Sequence, residues 1–187
     1  MQRALVTGAN SGIGRATAIA LAEAGYEVFG AMRSLEKGAK LIEGVRERGG
    51  TLHPIELDVS SAASVTRAAE VVAAQGGPLD VLVNNAGTCY HNDSWDVTET
   101  EWDNVFDLNV KALWEGTIAI GAHMRERGSG SIVNIGSMSG IIMYCPTWNL
   151  SSEREALPPL ISTKCLSATA LRRRFKSVSL WITTECN

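Results

Sequence analysis

Three glycines fall within eight residues, Thr7-Gly8-Ala9-Asn10-Ser11-Gly12-Ile13-Gly14, between a short apolar run at residues 4–7 and an alanine-rich stretch at residues 12–25. A strand that ends in glycine can turn sharply, and a helix that begins with glycine can lie flush against that strand. Gly8 permits the tight exit, Gly12 lets a ligand's phosphates approach the backbone, and Gly14 lets helix and strand pack closely. The first turn of such a helix offers unpaired N–H groups and a partial positive charge to a pyrophosphate. A glycine pattern alone says little. The strand before it and the helix after it make it a phosphate loop.

The first 140 residues repeat this strand–helix alternation. In the first helix, Ile13, Ala16, Thr17, Ala20, Leu21 and Ala24 keep the 3–4 spacing of one buried face, and Gly25 closes it. A strand is predicted at 26–32, a charged helix at 35–48 ending in Gly49-Gly50, and a strand at 51–57. Ser60 or Ser61 can cap a helix that runs to Gln75, ahead of Gly76-Gly77-Pro78. Further strands are expected at 79–83 and 131–135. Between them, Thr98-Glu99-Thr100-Glu101 reads as a capping box opening a helix whose buried stripe would be Trp102, Val105, Phe106, Asn109 and Leu113. An amide on that stripe needs partners, because burying one without them costs roughly 1–3 kcal/mol. Strands separated by helices imply parallel pairing with right-handed crossovers. The expected fold is a doubly wound, three-layer α/β domain with strand order 3-2-1-4-5. After Gly140 the alternation fails, so the reading is a dinucleotide-binding domain at 1–140 and an irregular or aberrant segment at 141–187 with no clear sixth strand, apart from a possible helix at about 163–176.

Composition narrows the function classes. Seventeen basic and twenty acidic side chains among 187 residues leave a net charge of −3, which gives no global attraction for a nucleic acid. The basic run Arg172-Arg173-Arg174-Phe175-Lys176 reads as a solvated helix face. No apolar run approaches the ~20 residues needed to span a bilayer. Cys89, Cys145, Cys165 and Cys186 form neither a CxxC pair nor a ligand cluster, and His53, His91 and His123 share no metal spacing, so no metal site is expected. Cysteine usage fits a reducing compartment, most simply the cytoplasm, and the opening MQRALVTG runs directly into a strand with no leader expected.

The spacing T-G-x-x-x-G-x-G, Asp58-Val59, Asn84-Asn85-Ala86-Gly87, Asn109 and Asn134-Ile135-Gly136-Ser137 together resemble the short-chain dehydrogenase/reductase family over residues 3 to about 140. The resemblance implies a Rossmann-type fold and hydride transfer between a nicotinamide cofactor and a carbonyl or secondary alcohol on a small-molecule substrate. Gly8, Asn10, Ser11, Gly12, Ile13 and Gly14 match the family's pyrophosphate loop. Asp58 and Val59 match the pair at the adenine, and Asn85, Ala86 and Gly87 the turn beside the adenine-side ribose. Asn109 matches the asparagine that helps hold a proton-relay water, and Ser137 the serine that bonds the substrate oxygen. In the family the fourth and fifth helices commonly form a dimer face, so a homo-oligomer is implied. Cofactor choice follows from charge. The stretch after the second strand, Gly30-Ala31-Met32-Arg33-Ser34, has no carboxylate to bond a ribose 2′-hydroxyl, whereas Arg33 can fork onto a 2′-phosphate. NADP is expected in preference to NAD.

The sequence departs from the family at its proton donor. The family uses Y-x-x-x-K, where the lysine charge lowers the tyrosine pKa. Tyr144 lies only seven residues past Ser137 and has Trp148 where its lysine should be. Leu160-Ile161-Ser162-Thr163-Lys164 looks like the family segment with leucine in the tyrosine position, so Lys164 is the candidate lysine and no tyrosine matches. Two functions remain open: an oxidoreductase, and a non-catalytic dinucleotide-binding remnant whose C-terminal strands are incomplete through truncation or a shifted frame.

Overall fold

The apolar run at the N-terminus becomes the middle of a parallel sheet. A computed structural model describes residues 1–92 and 95–136 and the backbone of residues 181–182. The strands are β1 (Arg3–Thr7), β2 (Glu27–Met32), β3 (Thr51–Glu56), β4 (Val81–Asn84), β5 (Ser131–Gly136) and β6 (Trp181–Ile182). The helices are α1 (Gly12–Glu23), α2 (Ala39–Glu47), α3 (Ala62–Ala74), α4 (Glu99–Phe106) and α5 (Ala112–Arg127). A 3-10 turn at Leu35–Gly38 leads into α2, and a π-helical stretch at Asp107–Lys111 joins α4 to α5. The strand order is β3-β2-β1-β4-β5-β6, and every pairing is parallel. The expected order 3-2-1-4-5 therefore holds. A sixth strand, which the sequence pattern did not reveal, adds two residues beside β5 through Ile135 opposite Trp181 and Gly136 opposite Ile182. Two residues are too few to carry an alternating signature.

Apolar residues alternate to both faces of the strands, as a buried parallel sheet requires. On one face Val6, Val28 and Met32 pack with Ala18 and Ala22 of α1 and with Leu41 and Val45 of α2. On the other, Phe29, Ala31 and Ile55 pack with Ala68 of α3, while Leu82 and Ile132 meet Met124 of α5. Burying each large side chain fully stabilises the fold by about 1.5–3 kcal/mol. The opposite end of the sheet from the glycine loop is tied by charge. Arg3 is almost fully buried, its guanidinium donating to the Val72 and Gly77 carbonyls and lying 4.6 Å over the Phe29 ring. Its Nε sits 3.2 Å from the Glu27 carboxylate, out of line for a hydrogen bond. His53, on β3, bonds the other Glu27 oxygen at 2.8 Å and stacks on Phe29.

Two predicted stripes are corrected. In α1 the buried residues are Gly14, Ala18 and Ala22, while Ala16, Ala20 and Ala24 are exposed and Ile13 is 43% exposed. An alanine-rich helix has several equivalent stripes, and the close approach at Gly14 decides among them. In the fourth helix, Trp102 and Phe106 are 57% and 44% exposed, stacked on each other, and Val105, Asn109 and Leu113 are half-buried. The inner face of α5 is instead made by Ala112 and Gly121, small residues that let the helix lie close to the sheet, and by Met124, which reaches into the core. The large apolar residues Trp102, Phe106, Val110, Trp114 and Ile118 form the outer stripe, and Trp95 is also exposed rather than packed. The capping box is present: the Thr98 hydroxyl accepts from the Glu101 N–H, and the Glu101 carboxylate accepts in return. Among the described residues no helix is long and apolar enough to cross a membrane, and no cluster of three or more His, Cys, Asp or Glu could hold a metal ion.

Candidate functional site

The glycine loop leaves β1 at Thr7 and enters α1 at Gly12, at the switch point where the sheet order turns from β2 on one side of β1 to β4 on the other. Ligands of open α/β sheets bind in the crevice that opens there. Gly8 and Gly12 take φ values of 65° and 50°, a region that side chains with a Cβ avoid. A Cβ at Gly12 would meet nothing within 4 Å, so the loop presents open backbone to the crevice. The Ser11 side chain makes no capping bond and no acidic residue stands in the first turn of α1, which leaves its amides for an external anion.

The loop is held from β4. Asn85 Nδ2 donates to the Thr7 carbonyl at 3.0 Å and to the Gly8 carbonyl at 3.3 Å. The Thr7 hydroxyl accepts from the backbone N–H of both Asn85 and Ala86 at 2.9 Å and donates to the Val83 carbonyl at 3.4 Å. Thr7 is buried and was given no role by sequence reasoning, although it opens the T-G-x-x-x-G-x-G spacing and carries a hydroxyl at the end of an apolar run. Thr7→Val keeps the shape but strands two N–H groups, and it should cost about 2 kcal/mol in urea unfolding, with Thr7→Ser close to the parent.

Arg33 and Asp58 come together beyond β2 and β3. The Leu57 N–H donates to the Met32 carbonyl at 2.8 Å, fastening the two strand ends side by side. Asp58 Oδ1 accepts from the Ser60 hydroxyl at 2.6 Å and the Ser60 N–H at 3.0 Å. These bonds, with a smaller contribution from the Arg33 charge, hold the Asp58 carboxyl below the usual carboxylate range. Arg33 is exposed, Asp58 and Val59 are half-buried, and Asn10 is half-buried at the loop.

Asn109 sits inside the π-helical stretch. Its Oδ1 accepts from the Thr88 N–H at 2.9 Å and its Nδ2 donates to the Thr88 carbonyl at 2.7 Å. Both ends of the amide are thus spent on one residue, the first after Asn84-Asn85-Ala86-Gly87, which fixes the path of the chain leaving β4. Gly87 leaves room for this pairing, since a Cβ there would lie 3.1 Å from Asn109 Oδ1 and press on it. Thr88 is a partner that sequence spacing could not identify. The His91 ring lies 3.6 Å from Cys89 Sγ, two residues along the chain. Ser137, Tyr144, Leu160, Lys164 and the basic run at 172–176 lie outside the described residues.

Comparison with known proteins agrees with this arrangement. Residues 2–150 match the short chain dehydrogenase family. The chain is 39% identical over 140 residues to the 3-oxoacyl-(acyl-carrier-protein) reductase FabG of Staphylococcus aureus, covering 74% of this chain and 57% of that protein. It is 35% identical over 138 residues to the cyclopentanol dehydrogenase of Comamonas testosteroni, covering 74% and 55%. The chain therefore spans little more than half the length of these curated relatives. Among solved structures, gluconate 5-dehydrogenase from Burkholderia cenocepacia J2315, in complex with NADP and tartrate, superposes with a TM-score of 0.68 at 33% identity, covering 75% of this chain and 55% of that one. A metagenomic short-chain oxidoreductase in complex with NADP gives 0.69 at 34% identity, covering 74% and 63%. With the glycine loop, its asparagine brace and the parallel sheet all in place, the chain belongs to the short-chain dehydrogenase/reductase family.

Proposed function

We propose that residues 1–140 bind NADP(H) and that the protein moves hydride between that cofactor and a carbonyl or secondary alcohol of a small molecule. One observation carries the reading: the Thr7–Asn85 brace holds an uncapped helix start and an open glycine loop at the switch point of the sheet. The loop fits a diphosphate, because its available donors are backbone N–H groups and nothing crowds Gly12. When bound, the nicotinamide supplies or accepts the hydride. The amides of Ser11, Gly12 and Ile13 would receive the diphosphate, with Gly8, Asn10 and Gly14 shaping the loop. Asp58 and Val59 border the adenine, and Asn85, Ala86 and Gly87 the adjacent ribose. Asn109 fixes the segment after β4. Ser137 would bond the substrate oxygen, and Lys164 would hold the second ribose.

Arg33 supports NADP over NAD. It stands beyond β2 with no carboxylate in its own stretch, and two solved relatives carry NADP. Arg33→Ala should weaken NADPH binding about tenfold or more and leave NADH within twofold, the loss of a charge-assisted fork to the 2′-phosphate. Tighter binding of NADH than NADPH by the parent protein would sink this preference. Self-association through the expected fourth helix, α4 running into α5, fits its exposed apolar stripe, while the fifth helix of the family's dimer face lies outside the described residues; a reducing cytoplasm fits the cysteine usage.

A second reading rests on a specific residue. In the segment 160–164, which resembles the family's Y-x-x-x-K, Leu160 stands in the tyrosine position, and a leucine transfers no proton. On that reading the chain binds the dinucleotide without turnover. Calorimetry with NADPH and NADP tests the binding that both readings share. NADPH oxidation against ketones, aldehydes and quinones separates them, since only the first gives a rate above the protein-free blank.

A further inference from the structure

The contact between α5 and the strands beneath it is apolar through Leu82, Ile132, Met124 and Ile120. At the C-terminal ends of the strands it becomes polar. Asn84 and Asn134 are opposite each other, the last register pair of β4 and β5. Asn84 Nδ2 donates to Asn134 Oδ1 at 2.9 Å and to the Thr117 hydroxyl of α5 at 3.0 Å. The Thr117 hydroxyl in turn donates to Asn134 Oδ1 at 3.5 Å. Asn84 is 7% exposed and lies under Gly116 of α5, where even a Cβ would only come into contact with its Oδ1, at 3.4 Å.

Apolar side chains would fill this space without the desolvation cost of two amides and a hydroxyl. Satisfied polar networks fix one geometry where apolar packing tolerates several. The network lies where the chain leaves the sheet for the crevice. Asn85, which braces the glycine loop, follows Asn84 directly, and Ser137 follows β5. The position also divides the cofactor. On the cofactor reading, Arg33 and Asp58, beyond β2 and β3, would take its adenine half, and the glycine loop after β1 its diphosphate. The remaining half would then extend over the ends of β4 and β5.

We propose that Thr117, acting through Asn84 and Asn134, is a positioning residue for the nicotinamide half of the cofactor. It sets the spacing of the two strand ends on which that half rests. The inference depends on the cofactor reading above. Thr117→Val matches the threonine in shape and removes the hydroxyl, and Thr117→Ser keeps it. The probes are NADPH and adenosine 2′,5′-bisphosphate, which carries the adenine side alone. Thr117→Val should weaken NADPH about tenfold relative to the parent while leaving the bisphosphate within about twofold. Thr117→Ser should restore NADPH binding to within about threefold. A general brace would weaken both probes alike, and that result overturns the proposal, as does unchanged NADPH binding or a parent that binds the bisphosphate as tightly as NADPH. If Thr117→Val does not fold by circular dichroism, Thr117→Ala is read in the same way. A parent that binds neither probe refutes the cofactor reading itself, a result distinct from all of these.

Discussion

Gly14→Val should remove detectable NADPH binding and lower the unfolding free energy by about 3 kcal/mol, at the upper end of the usual overpacking range. The cause is local. A Cβ at residue 14 would collide with the Gly8 carbonyl and the Asn85 amide. Neither can step aside: Gly8 is held at φ 65° by the turn, and the Asn85 amide is already bonded to the Thr7 and Gly8 carbonyls. The helix must lift, and its first-turn N–H groups leave the crevice together. Gly12→Ala is the control. It is a control for stability and not for affinity, since Gly12 itself faces the diphosphate: its methyl meets no protein atom within 4 Å, so the fold feels only the strain of φ 50°, about 1–2 kcal/mol. Urea titrations and calorimetry on the two variants check this, and a Gly14→Val protein with the parent's midpoint and affinity would refute the close-packing argument.

The same contact explains how much of the fold was legible beforehand. Strand order, parallel pairing and the placement of the loop follow from alternation and from where glycine must occur. The orientation of the helices does not. In α1, residues 13, 16 and 20 and residues 14, 18 and 22 fit a helical period equally well, and only the approach to Gly8 selects the second set. In the helix that follows β4, hydrophobicity pointed the wrong way. The bulky Trp102 and Phe106 face outward, while Ala112 and Gly121 face inward, because the distance to the sheet favours small residues. Of the site, the glycines, Asn85, Asn109, Arg33 and Asp58 could be singled out in the sequence. Their partners could not, since Thr7, Thr88 and Thr117 act through hydrogen bonds to residues 17 to 79 positions away.

Leu160→Tyr should raise NADPH-dependent carbonyl reduction about 100-fold or more, since a general acid contributes typically 10²–10⁴-fold. The argument rests on spacing. Lys164 follows position 160 by four residues, one helical turn, so that on a helix the two side chains share a face. A lysine ammonium there would draw a phenol's pKa down from its ordinary value near 10, towards the range where it can exchange a proton with a substrate oxygen at neutral pH. Leucine offers no such proton, so on the second reading the parent turns over slowly or not at all while still binding the cofactor. Two controls isolate the hydroxyl from the ring and the charge. Leu160→Phe adds the ring without the proton and should gain nothing. Adding Lys164→Met to Leu160→Tyr should cancel most of the gain and move the rate's pH optimum upward, because the phenol then loses its neighbouring cation. Equal rates for the tyrosine and phenylalanine variants, in proteins that both bind NADPH, would mean that Lys164 does not face position 160 and that the family's proton donor cannot be rebuilt at this site.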